Sequence, residues 1–104
     1  YTTPADLCRF ISLLNRRGSL DGHSVLDQTR SDIMVRQATG IFTQNPFGAD
    51  NFFYWHNGVN YGFRALLKGY PNRRAGVVVM TNGEQGDKLH DEIVRAVETR
   101  YGWN

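Results

Sequence analysis

The chain contains one cysteine, Cys8, so it offers no internal disulfide framework and no cysteine pair to a metal. It has three prolines, and no Ser- or Gly-rich run, internal repeat or low-complexity tract marks a linker between domains. No window approaches ~18 continuous apolar residues, so no membrane-spanning helix is expected, and no stretch reads as a signal peptide. Charge of one sign is scarce too: 12 basic against 10 acidic residues leave a net +2. The basic residues include two short pairs, Arg16-Arg17 and Arg73-Arg74, rather than a stripe. That pattern suits helix ends and turns and argues against nucleic-acid binding. The three histidines lie far apart, and only His23 has an acid four residues on, Asp27, which is too few ligands for a zinc site; no other metal and no cofactor is expected. The first residue is Tyr1 rather than methionine, which raises the expectation of a mature product or an excised piece.

What is present is enough for one core and too little for two domains. Of 104 residues 40% are hydrophobic, with two Trp, five Tyr and six Phe. Thr3-Pro4-Ala5-Asp6 reads as a helix start, with Thr3 as cap, Pro4 in the first turn and Asp6 as a capping-box acid. Leu7, Phe10, Ile11 and Leu14 follow at helical spacing, and Arg16-Arg17-Gly18 closes the segment. Cys8 is expected on its apolar face as a buried, inert thiol. Asp21-Gly22 marks a turn; a second, weaker helix is expected at about 27–37, with Ile33 and Met34 as its apolar contacts. Residues 38–50, with Gly40, Asn45-Pro46 and Gly48, read as loop.

From Asn51 the pattern becomes that of strands. Phe52-Phe53-Tyr54-Trp55 is aromatic on both faces, as in a core strand covered from both sides. Phe63 to Lys68 is a second strand, Pro71-Asn72-Arg73-Arg74 a turn, and Gly76 to Thr81 a third strand whose apolar run predicts a central, buried position. Asn82-Gly83 closes it. A helix over about Asp87–Tyr101 places Leu89, Ile93, Val97 and Tyr101 on one face, leaving His90, like His23, toward solvent. The expected fold is α+β in a single partial domain over 1–104. Residues 1–50 form a helical and loop segment; residues 51–104 form a three-stranded antiparallel sheet with a C-terminal helix packed on it.

One stretch suggests chemistry: His56-Asn57-Gly58-Val59-Asn60-Tyr61 at the end of the aromatic strand. Glycine in a strand lets another backbone come close, and a basic side chain beside free N–H groups can hold an anion or a developing oxyanion. The plain alternatives are a strand histidine bonded at a turn, and a polar turn at Asn60 and Tyr61. Asn82 is first of all a turn signal.

Read in order, these pieces resemble the C-terminal part of the serine β-lactamase and penicillin-binding-protein superfamily, in its class C-like branch of β-lactamases, D,D-peptidases and esterases. Residues Tyr1 to Phe10 are similar to a segment that opens a helix near the middle of that fold. Leu20-Asp21-Gly22 and Val25-Leu26 are similar to its next turn. His56-Asn57-Gly58 stands where the family has lysine-threonine-glycine or a histidine-x-glycine variant, and Gly62-Phe63, Pro71 and Gly76 to Asn82 follow in register. The resemblance implies acyl transfer by a serine of an S-x-x-K motif. His56 would steady the substrate carboxylate or the proton network, and the Val59 N–H would be one oxyanion donor. Asn57, Gly58, Asn60, Tyr61 and Asn82 would line the substrate site. Histidine in place of lysine is a weaker anion clamp, since imidazole is largely neutral at pH 7, and leans toward esterases and peptidases.

None of the four serines, Ser12, Ser19, Ser24 and Ser31, has lysine three residues on, so the nucleophile is not in this chain. Tyr70-Pro71-Asn72 matches the Y-x-N pattern of the second motif but falls out of family order, which reads as coincidence. The implied partners are a small-molecule or peptide substrate and an N-terminal half of the same protein that carries the serine. The resemblance also implies a periplasmic or extracellular location. In the family, N-terminal strands would pair with the strand at Gly76–Thr81. Here that edge is expected to stand open, so that the chain self-associates, swaps or binds its other half.

Overall fold

A computed structural model describes residues 1–103, so Asn104, the last residue of the expected second half, lies outside it. Helix α1, Pro4–Asn15, starts as its sequence dictates. Thr3 has extended backbone and its hydroxyl accepts from the Asp6 N–H, which satisfies one orphan donor of the first turn. The helix ends on Arg16, with Arg17 and Gly18 at positive φ. A short hairpin follows, β1 (Ser19–Leu20) with β2 (His23–Ser24), turning on Asp21 and Gly22.

Helix α2, Gln28–Gln37, is capped by the Asp27 side chain and stops at Ala38 in the left-handed region. Its buried residues are Ser31 and Val35, while Ile33 is exposed and Met34 packs only partly against the core. The helix therefore turns one position from the expected Ile33/Met34 face, since Val35 and Ser31, four residues apart, form the stripe that is covered.

Strands β3 (Phe42–Gln44), β4 (Phe53–Asn60), β5 (Phe63–Tyr70) and β6 (Ala75–Thr81) form one antiparallel sheet in that spatial order. The sheet is four-stranded, not three-stranded. The additional strand lies in the segment read as loop, and its three residues are too few to show an alternation. Pro71–Arg73 form a single 3₁₀ turn between β5 and β6. Strand β4 is longer than its aromatic start, because His56 to Asn60 stay paired with Leu67 to Phe63. The turn falls at Tyr61-Gly62, with Gly62 at φ 76°, where a residue without Cβ is the natural choice.

The last strand, β6, is an edge strand rather than a central one. Its apolar run instead follows from cover on both faces, with α1 on one side and α3 (Gly86–Tyr101) on the other. On the α1 face, Ile11, Leu14, Val35, Ile41, Phe52 and Tyr54 make the core, with Leu67 and Val78 packed against it. Tyr54 is fully buried, and its hydroxyl donates to Asn15 Oδ1 at 2.9 Å, with the Ile11 carbonyl a second acceptor within reach at 3.2 Å. Gly69 makes room for that ring, since a Cβ there would lie 2.1 Å from Tyr54 Cζ.

On the opposite face α3 buries Gly86, His90 and Val94, whereas Leu89 and Tyr101 are exposed. The expected Leu89–Tyr101 stripe is thus rotated, and His90 is buried rather than solvent-facing. Two contacts set the rotation. Gly86 sits so close to the sheet that a Cβ would meet Thr81 Oγ1 at 1.9 Å. At the far end Glu98 takes hydrogen bonds from Lys68 Nζ and the Tyr70 hydroxyl. Cys8 is exposed, not buried; it lines an open groove between α1 and the start of β6.

Candidate functional site

The six-residue stretch from His56 to Tyr61 lies along the distal half of β4 and its turn, rather than at a strand exit. Strand β3 pairs only with Phe53, Tyr54 and Trp55. From His56 onward one edge of β4 carries no partner strand, while β5 pairs with the other. Asn60 and Phe63 flank a two-residue loop, and residues in that position face each other as a hydrogen-bonded pair. The alternation of main-chain direction then sends the N–H groups of Asn57 and Val59 to the open edge. Side chains alternate across the pleat: His56, Gly58 and Asn60 share the face of Tyr54 and α1, whereas Asn57 and Val59 share the α3 face.

His56 is exposed, and its imidazole stacks on Phe42 with ring centroids 5.6 Å apart and planes 22° apart. Phe42 also leans on Trp55, at 4.7 Å. A half-exposed phenylalanine on β3 therefore packs against the histidine ring, a contact hidden in the sequence because Phe42 falls in a segment that reads as loop. Gly58 is exposed and has an ordinary strand conformation, and a Cβ there would meet only Ala65 Cβ at 3.5 Å. Unlike Gly69 and Gly86, it is not required by any neighbour in the chain. A shallow hollow of about 270 Å³ lies alongside, bounded by Gly58, Asn60, Phe63, Ala65 and Met80.

The structure groups His56, Asn57, Gly58, Val59 and Asn60 on one strand and leaves Tyr61 almost fully exposed at its tip. Asn82 does not join them: it follows β6, with β5 intervening, roughly 10 Å across the sheet. The hairpin tip is instead tied down by Glu84. Its carboxylate accepts from the Gly62 N–H and pairs with Arg64 at 2.7 Å, and Arg64 also donates to the Asn60 carbonyl at 2.8 Å. This Arg64–Glu84 brace holds the end of the candidate strand. Its only sequence sign is an acid two residues beyond Asn82, which turn chemistry alone does not single out.

Among the described residues no group of three His, Cys, Asp or Glu side chains is placed to hold a metal ion, and no helix is long and apolar enough to cross a membrane. A bare strand edge with outward N–H groups, a glycine and an imidazole can accept an extended ligand backbone and donate hydrogen bonds to a carbonyl oxygen or an anion. No family model, curated protein or solved structure matches the chain.

Proposed function

We propose that this chain is the C-terminal part of a serine hydrolase of the β-lactamase-like kind, acting by acyl transfer on a β-lactam, a D-alanyl peptide or an ester. It contributes the strand His56-Asn57-Gly58 and the Val59 N–H as one oxyanion donor; the attacking serine comes from another segment. The observation that carries this reading is Gly58. Glycine weakens a strand by about 0.5–1 kcal/mol relative to alanine, and nothing within the fold requires it at this position. Close approach of something outside the chain accounts for it.

In this arrangement the acyl carbonyl lies against the open edge of β4. The Val59 N–H donates to the oxygen as it gains charge, and an oxyanion donor of this kind is worth on the order of 10²–10³ in rate. His56, stacked on Phe42, meets a substrate carboxylate or the leaving-group proton. A second reading is a non-catalytic ligand-binding or assembly module using the same edge; it is favoured by the lack of any Ser-x-x-Lys in these residues.

The coding region upstream of Tyr1 decides between them. Ser-x-x-Lys followed by Tyr-x-Asn or Ser-x-Asn is expected there. In the complete gene product His56→Ala should slow acylation by a fluorescent penicillin, or turnover of a chromogenic ester, without lowering the melting temperature. Upstream sequence lacking those motifs, or acyl transfer unchanged by His56→Ala, overturns the hydrolase reading.

A further inference from the structure

A separate groove of about 550 Å³ runs between α1 and the start of β6, at the end of the sheet away from the candidate strand. One wall is the α1 stripe Cys8, Ser12 and Asn15; the other is Arg74 to Gly76; Arg16 and Arg17 close its end. Its lining therefore includes three arginines and no acidic residue.

The three arginines are not equivalent. Arg17 is clamped by Asp32 through two bonds, Nε to Oδ1 at 3.0 Å and Nη2 to Oδ2 at 2.6 Å. Its charge is thereby balanced, and Asp32 is held below the usual carboxylate range chiefly by that hydrogen bond. Arg16 and Arg74 make no ion pair among the described residues. Arg74 is held in the left-handed region by its N–H bond to the Pro71 carbonyl.

These side chains are not used up in capping α1. The Ser12, Leu13 and Leu14 carbonyls at its end already accept from the main-chain N–H groups of Arg16, Gly18 and Arg17. The floor is fixed as well, since Asn15 donates to the Ala75 carbonyl at 3.0 Å and accepts from the buried Tyr54 hydroxyl. Two arginines without an ion pair, lining a groove with Ser12, Ile11 and the anchored Asn15, suit a ligand with two negative charges.

We infer that this groove binds a small oxyanion carrying at least two negative charges, of the phosphate-ester or polycarboxylate kind. It is a site independent of the β4 edge and of any acyl transfer there. Cys8, on the groove wall and exposed, supplies the readout: a bound anion shields its thiol from alkylation.

The experiment follows iodoacetamide labelling of Cys8 in the chain while pyrophosphate or citrate is added at constant ionic strength, with calorimetric titration of the same anions alongside. Saturable protection and saturable heat are expected with at least one of them and not with sodium chloride, and the stronger of the two assigns the ligand class. Arg16→Gln and Arg74→Gln should each weaken binding on the order of tenfold, the loss of one charge-assisted hydrogen bond. Absence of saturable binding by both anions, equal protection by chloride, or unchanged affinity in both variants overturns the site.

Discussion

Two glycines on neighbouring strands of the same sheet face illustrate how a residue type acquires meaning only in place. Gly69 lies under the Tyr54 ring, so Gly69→Ala drives a methyl into a buried ring whose hydroxyl is anchored on Asn15. Overpacking of this kind costs about 3 kcal/mol. Gly58 has ordinary contact distance to its only near neighbour. Gly58→Ala should therefore leave stability within about 1 kcal/mol of the parent. Urea unfolding of the two variants checks the contrast, and similar losses in both would mean that Gly58 is a packing residue after all. Local rules read from the chain reached both glycines, but not the ring above one and the open space beside the other.

At the scale of elements, helix α3 depends on one polar knot. Lys68 and Glu98 are both about seven-eighths buried, and Tyr70 shares the carboxylate. Burial alone would raise the Glu98 carboxyl, yet the hydrogen bonds from Lys68 and Tyr70 outweigh it and hold it below its ordinary 4.5. A carboxyl whose folded-state value is depressed stabilises the protein above its unfolded value, and that contribution is lost as the pH falls through the folded one. Melting temperature should therefore drop as the pH falls below about 4.5. Glu98→Gln should cost about 3 kcal/mol at pH 7, because it leaves the Lys68 charge buried without a partner, and should flatten that acid limb. An acid limb unchanged by Glu98→Gln would move the acid sensitivity elsewhere.

The same helix shows what the sequence could and could not reveal. Its existence and bounds were legible from spacing, as were those of α1 with its Thr3 cap and of α2. Its rotation was not, because two long-range contacts, Gly86 on Thr81 and Glu98 on Lys68, outweigh a hydrophobic stripe that merely looks continuous through Leu89 and Tyr101. Strand β3 escaped for a related reason: three residues carry too little pattern, and only pairing with Phe53 to Trp55 makes them a strand. The aromatic start of the candidate strand was legible, but its continuation through His56 to Asn60 was not, since it rests on pairing with Leu67 to Phe63. Nor were its bare edge and the Phe42 stack on His56, since both depend on where β3 stops.

For the molecule as a whole, the sheet ends on an unprotected strand. Ala75 to Thr81 contain no charge, no proline and no bulge, the features by which edges ordinarily resist pairing. Arginines cluster near one end of this edge and Glu84 and Asp87 near the other, so antiparallel pairing with a second copy sets opposite charges against each other. Sedimentation at micromolar concentration should show self-association, and Met80→Lys, at a position 38% exposed, should return the chain to monomer. A parent chain that is already monomeric counts against the edge as a contact surface.

Strand β4 finally joins two regimes in eight residues. Tyr54 is anchored in the core and sits between partner strands on both sides, whereas Asn57 and Val59 turn their amides to water. Substitutions in the inner half disturb the core directly, whereas exposed side chains of the outer half can change while its pairing with β5 is kept. A strand built this way separates the residues that hold the fold from those that meet the solvent.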